Sequence, residues 1–296
     1  MIPDPAIQLA AFQSGEVNVF WINQPSHRLV LEADDTVRMV DAHTNGLVYL
    51  GFNCQKAPFD QVLVRQALSH AVNKAEILGL AAGGIGELAT APLPSTLPGY
   101  DPSLDQHEFG FDPQKAQELL LEAGFAKTAD GGWEWEGEAL SLQLLTTTRA
   151  PNGDIATLVQ SQFQAIGVPV EIQQLDSRAV AQATTEGAFD LLIYRYGWND
   201  PDALSIFLSS ARIGRTNRVA YGNADVDALL EQGAHELDEA ARIATYVDAQ
   251  EIIMQEAPWQ PLYYTMDVIA INDQVQGARV GHMGRLLLND AYIVAD

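Results

Sequence analysis

Residues 140–194 alternate strand-length apolar runs with helical stripes, and no other feature of the chain constrains its fold as tightly. Residues 140–145 alternate in the manner of a strand. A helix opens at Asp154, carries Ile155, Leu158, Val159, Gln162 and Ile166 on one stripe, and stops at Gly167. Residues 168–172 read as a second strand, 178–185 as a helix and 189–194 as a third strand. Neighbouring strands joined through helices run parallel, because the crossover returns the chain to the same end of the sheet. The stretch predicts an α/β domain with a mixed, largely parallel sheet flanked by helices.

The remaining segments are less regular. Residues 7–12 are short and apolar, 17–20 read as a strand, and 46–52 as a buried strand. Val64, Leu68, Ala71, Ala75 and Leu78 form one apolar stripe, predicting a single helix from Asp60. Residues 83–113 are dominated by Gly, Pro, Ser and Asp and read as a long loop, a class that is often functional. Asp112 then caps a helix with Pro113 at its first position, and Gly124 ends it. Further helices are expected from Asp225 and over 238–256, then strands at 261–264 and 268–271. The ends, 1–40 and 265–296, lack the alternation of the middle and are expected to belong to a different domain.

Composition narrows the function. The 296 residues suffice for about two domains, and 47% of them are apolar. The formal net charge of −23 argues strongly against a nucleic-acid binder and disfavours an anionic membrane surface. It suits cationic or amine-bearing ligands, or serves solubility alone. No apolar run reaches the 18 or so residues of a membrane-spanning helix. The single cysteine, Cys54, rules out an internal disulfide and reads as a small packed residue. The histidines at 27, 43, 70, 107, 235 and 282 are scattered and do not form a metal pattern. Met1-Ile2-Pro3-Asp4-Pro5 lacks an export signal, so the chain is expected to be either cytosolic or part of a longer protein.

Few residues carry chemistry. Gly84-Ile85-Gly86 follows a helix, which fails both phosphate-binding fingerprints. Asp200-Pro201-Asp202 fits a divalent-metal pair, a glycosidase acid–base pair, or a turn that caps a helix; the cap is the preferred reading. Tyr194-Arg195-Tyr196-Gly197-Trp198-Asn199-Asp200 closes a predicted strand, where open α/β sheets place ligands. Its rings and charges would suit a small zwitterion, or would fill core while Arg195 and Asp200 pair.

Taken in order, the segments resemble the peptide/nickel solute-binding family of ABC importers. Ser14-Gly15-Glu16-Val17-Asn18 is similar to an early family segment. Tyr49-Leu50-Gly51-Phe52-Asn53, Ala57-Pro58-Phe59-Asp60 and the run from Val64 through Arg65, Gln66, Ala67 and Leu68 to Lys74 resemble the family's central signature. So do Phe111-Asp112-Pro113 with Leu119-Leu120 and Glu122-Ala123-Gly124, then Ile166-Gly167-Val168. Gly197-Trp198 with Asp200-Pro201-Asp202 resembles its tryptophan loop, and the stretch from Ala257-Pro258 to Pro261-Leu262-Tyr263 completes the set.

The resemblance implies a two-lobed protein that closes on its ligand and delivers it to the transmembrane subunits of an ABC permease. It implies that residues 1–40 are a remnant of lobe I, 41–264 form lobe II, and 265–296 return to lobe I, with the N-terminal lobe lacking. The expected ligand is an oligopeptide or another small solute, held by Asn53, Arg195, Tyr196, Trp198, Asn199, Asp200 and Asp202. No catalytic residue, metal or cofactor is expected, and the protein is expected to be a monomer, periplasmic or at the cell surface. In peptide-binding members an Asp of the tryptophan loop meets the ligand's amino terminus. The loop here is short, so Asp200 is the available substitute, while Arg195 would meet a carboxylate. Two alternatives are a cytosolic metal-dependent Asp-x-Asp transferase and a degenerate lobe kept as an interaction surface.

Overall fold

The computed structural model describes residues 4–22, 24–281 and 284–294. The chain opens with α1 (Pro5–Gln13), β1 (Val19–Ile22) and α2 (Pro25–Glu32). The Asp4 carboxylate accepts from the Ala6 and Ile7 amides, so the apolar run at 7–12 is helical. β2 (Val37–Phe52) is 16 residues long, far beyond the strand expected at 46–52. Its first half alternates poorly because Arg38, Asp41 and His43 occupy solvent-facing or half-buried positions, which hid it from a periodicity argument.

The helix expected from Asp60 is two helices, α3 (Val62–His70) and α4 (Lys74–Leu80). The Asn73 side chain accepts from the Glu76 amide and starts the second, breaking the continuous stripe. β3 (Glu87–Leu88) and a 3-10 turn at Pro102–His107 lie within the expected loop. That loop is folded into the interior: Ala89, Ala91, Leu93 and Leu104 are fully buried. The Tyr264 hydroxyl donates to the Ala91 carbonyl and accepts from the Ala91 amide, both at 3.0 Å. α5 (Pro113–Glu122) has its expected Asp112 cap, and Gly124 leaves it at φ 90°.

β4 (Ala126–Lys127), β5 (Trp133–Trp135) and β6 (Glu138–Ala139) form a small separate sheet. β7 (Leu142–Thr147), α6 (Asn152–Ala165), β8 (Val170–Leu175), α7 (Ser177–Thr185) and β9 (Leu191–Gly197) realise the expected alternation. α8 (Ala203–Leu208), α9 (Ala224–His235) and α10 (Glu239–Glu256) lead to β10 (Trp259–Asn272), one strand where two were expected. β11 (Val275–Gln276) pairs β14 (Tyr292–Ile293), and β12 (Arg279–Val280) pairs β13 (Leu286–Leu287).

The main sheet has the order β1-β10-β2-β9-β7-β8, with β3 also on β10. β7 runs parallel to β8 and β9, while β1, β2, β3 and β10 are joined through antiparallel pairings. The sheet is therefore mixed, and its parallel share is confined to the strands that α6 and α7 connect. β2 and β10 pair from Trp259↔Gly51 to Asn272↔Val37, so both run unbroken past residues 41 and 264. One apolar cluster lies between this sheet and α3, α5 and α6, with Phe52, Trp133 and Phe163 at its centre. A second, with Tyr49, Tyr196, Tyr246 and Trp259, lies on the side of α8–α10.

Arg65 joins these layers. It is 3% exposed, and its guanidinium donates to the Glu256 carbonyl from Nε and Nη2 and to the Phe59 carbonyl from Nη1. A buried carbonyl left without a donor costs its full desolvation. Arg65→Ala is expected to lower urea stability by on the order of 3 kcal/mol, whereas Gln66→Ala, which loses one solvent-accessible bond to the Gln255 carbonyl, lowers it by less than about 1 kcal/mol. Equal effects would contradict the tie.

Candidate ligand-binding face

Successive residues of β9 point to opposite faces. Tyr196 turns inward, its ring 4.9 Å from that of Phe207 and 5.6 Å from that of Trp259, and its hydroxyl donates to the Pro92 carbonyl. It fills core and is committed there. Arg195 takes the other face and is exposed, in the cross-strand row of Val48 on β2 and Tyr263 on β10. Arg149, also exposed, follows the C-terminal end of β7.

Neither arginine side chain has a hydrogen-bond or ion-pair partner among the described residues. Partial burial lowers the Arg195 pKa, and the neighbouring Arg149 charge lowers it further, against a weaker pull from Tyr263 and Asp267. Two cations that repel one another thus stand at the ends of adjacent parallel strands, and an anion between them would lower that repulsion. Asp267, on β10, is half-buried; burial raises its carboxyl pKa and the Arg195 charge offsets only part of that.

Beyond Arg195 the chain turns through Trp198, which is 41% exposed and stands edge-on to Phe207 at 6.3 Å. Its indole N–H donates to Asp202 Oδ1 at 2.7 Å. The Asp200 Oδ1 accepts from the Asp202 amide at 3.0 Å and from Arg242 Nη2 at 2.5 Å. Burial opposes ionisation of Asp200, but the Arg242 and Asp202 bonds outweigh it, so its pKa lies below the ordinary value. Asn199 accepts from the Asn45 amide at 3.2 Å. Asp200-Pro201-Asp202 is thus a turn, as preferred, but Asp202 does not cap α8 through its side chain. Its carboxylate is drawn to the indole instead.

The structure brings Arg195, Trp198, Asn199, Asp200 and Asp202 to one end of the sheet. Asn53 is elsewhere: it is buried, and its amide donates to the Gly187 and Phe189 carbonyls at 3.2 and 3.1 Å. It follows the Phe52↔Leu191 pair, whereas Trp198 follows Gly46↔Gly197, about 20 Å away at the rise of a strand. Asn53 ties β2 to the entry of β9. Arg149 and Asp267 were missed, although Arg149 stands just past a predicted strand, the position where α/β sheets bind ligands.

Other candidates have ordinary explanations. Cys54 donates to the Phe52 carbonyl, and burial pushes its thiol up to about 12. Among the described residues there is no group of three or more His, Cys, Asp or Glu placed to hold a metal ion. With Asp200 held by Arg242, nothing supports the Asp-x-Asp transferase. His282 lies outside the described residues.

A mixed α/β sheet of this order, with helices on both sides, has the form of the α/β lobes of solute-binding proteins. The chain belongs to the bacterial extracellular solute-binding proteins, family 5 Middle, which it matches over residues 1–215. It is 31% identical to heme-binding protein A of Haemophilus influenzae, over 94% of this chain and 50% of that protein. It is 28% identical to the oligopeptide-binding protein AppA of Bacillus subtilis, over 98% of this chain and 54% of the relative. The structure of AppA in complex with a nonapeptide superposes with a TM-score of 0.83 at 27% identity, covering 100% of this chain and 60% of that one. The chain spans about half the length of the curated relatives it matches. Members of this family are binding proteins, not enzymes.

Burial raises the Asp202 pKa, the Trp198 bond offsets it in part, and the Asp200 charge raises it again. A raised folded-state value favours the protonated form, so this contribution to stability is lost as pH rises through it. Trp198 emission is expected to titrate with a midpoint above the ordinary aspartate value, and Asp202→Asn or Trp198→Phe to abolish that transition. A midpoint below the ordinary value would contradict the assignment.

Proposed function

We propose that this chain supplies one wall of the ligand cleft in an extracytoplasmic solute-binding component of an ABC importer. The observation that carries the reading is Arg195 and Arg149 at the C-terminal ends of β9 and β7, neither with a side-chain partner among the described residues. A carboxylate placed between them would accept charge-assisted hydrogen bonds and relieve their repulsion. Trp198, fixed by Asp202, offers a flat apolar surface beside that point.

The ligand is a peptide or similar small carboxylate-bearing solute. Residues 41–264 act as lobe II, and residues 1–40 and 265–296 belong to lobe I. The opposing wall comes from the half of the relatives' length that this chain does not match. The assembled protein works outside the cytoplasm as a monomer, closes on the solute and presents it to the permease subunits. It captures solute without transforming it.

A cleft that grips from both sides reaches micromolar affinity, about −8 kcal/mol. Calorimetry with a di- and tripeptide set is expected to show binding when the second lobe is present and none for this chain alone. Arg195→Ala in the two-lobed protein is expected to weaken binding at least tenfold, about 1.4 kcal/mol or more. Tight binding by the single chain, or an Arg195→Ala protein that binds normally, would contradict the proposal.

A further inference from the structure

Of the two register shifts in the β2–β10 ladder, the one beyond Tyr264 is the larger. Tyr264 pairs with Leu47 and Met266 with His43, so Thr44, Asn45 and Gly46 oppose the single residue Thr265. Surplus residues in one strand leave the ladder and bend it. Side chains hold this bulge together. The Thr44 hydroxyl donates to the Thr265 carbonyl at 2.8 Å, and the two threonine hydroxyls are 2.5 Å apart. Gly46 lies so close that a Cβ there would overlap the Thr265 hydroxyl oxygen.

Asn45, at the centre of the bulge, is 7% exposed and grips the start of the tryptophan turn. Its carbonyl accepts from the Trp198 amide at 3.2 Å, one residue past the last β2–β9 pair, Gly46↔Gly197. Its side-chain amide donates to Asn199 Oδ1, also at 3.2 Å. The far side of the turn is held separately, by Arg242 of α10 on Asp200. Both Asn45 bonds stand at the long end of the hydrogen-bond range, so they have little length to give. A shift of Asn45 therefore drags Trp198 along or releases it. In either case the indole moves against Asp202, the carboxylate that fixes it.

We infer that Asn45 is a positioning residue for the ligand face, through which bending of the β2–β10 ladder at the bulge displaces Trp198. The inference rests on the cleft-wall reading above and goes further by naming the point from which the turn is steered. Bending concentrates where three residues oppose one, and this bulge lies beside the proposed lobe boundaries at 41 and 264. A ligand seated on Trp198 biases the bend in return, because a coupling between two sites acts in both directions.

The test uses the two-lobed protein as wild type, Gly46→Ala, Thr265→Ala, their double variant and Asn45→Ala. Each is also made with Trp198→Phe, so that acrylamide quenching of Trp198 emission is read by difference. Removing the Thr265 hydroxyl leaves a Cβ on residue 46 no neighbour nearer than 3.4 Å. Gly46→Ala is expected to change Trp198 quenching in the free protein and to weaken di- and tripeptide binding by about three- to tenfold. The double variant is expected to return both readings to those of Thr265→Ala. Asn45→Ala is expected to raise Trp198 quenching and weaken binding by about threefold. Should Gly46→Ala fail to fold, Asn45→Ala carries the test alone. Folded variants with wild-type Trp198 quenching overturn the inference, even where melting temperature falls, since that marks a merely structural role. A Gly46→Ala defect that Thr265→Ala does not relieve overturns it as well. Wild type that binds no peptide sinks the cleft-wall reading, while the quenching of the free proteins still decides whether the bulge positions the turn.

Discussion

The antiparallel pairing of β2 with β10 is the constraint on which the rest of the structure depends. It runs from Trp259↔Gly51 to Asn272↔Val37, with register shifts between Pro261 and Tyr263 and between Tyr264 and Met266. At one end it carries β9, and through it β7 and β8; at the other it carries β1. The irregular stretch bends the ladder where the apolar cluster under α3, α5 and α6 gives way to the one containing Ile269 and Ile271.

Charge is distributed to match. The chain has 39 acidic residues and 16 basic ones, yet Arg149 and Arg195 at the strand ends are exposed without side-chain partners among the described residues. Arg178, Arg212 and Arg215 are likewise exposed without a side-chain partner among the described residues, whereas Lys74 meets Glu108 and Arg242 meets Asp200. The Arg242 bond holds the turn from below, and the Asp202 bond holds the indole from the side. A binding surface ordered before the ligand arrives loses less side-chain entropy on binding, about 0.5–1.5 kcal/mol for each side chain already fixed.

Much of this was legible in the sequence, wherever local chemistry decides local structure. Asp112, Pro113 and Gly124 bound α5 as their residue types require, and the 140–194 alternation became β7-α6-β8-α7-β9. The illegible parts depend on distant partners. The polar half of β2 is a strand because β10 lies beside it, and the Gly- and Pro-rich stretch after α4 is buried because Tyr264 and Gln250 satisfy its backbone. Within the site, the Trp198 turn could be located but not the commitments of its side chains. Tyr196 and Arg195 are neighbours with opposite fates, decided by which face each takes. Asp267 gave no signal because a single charge in an apolar strand reads as an edge position until the opposite face is known.

The central claim is that ligand meets this chain at the strand ends carrying Arg149, Arg195 and Trp198. Amide hydrogen exchange of the two-lobed protein, with and without bound tripeptide, tests it directly. The account predicts ligand-dependent protection concentrated at residues 147–149 and 195–202, with the interior of α5 and α6 unchanged. Protection confined to other segments, with those two left as they are in the free protein, would contradict it.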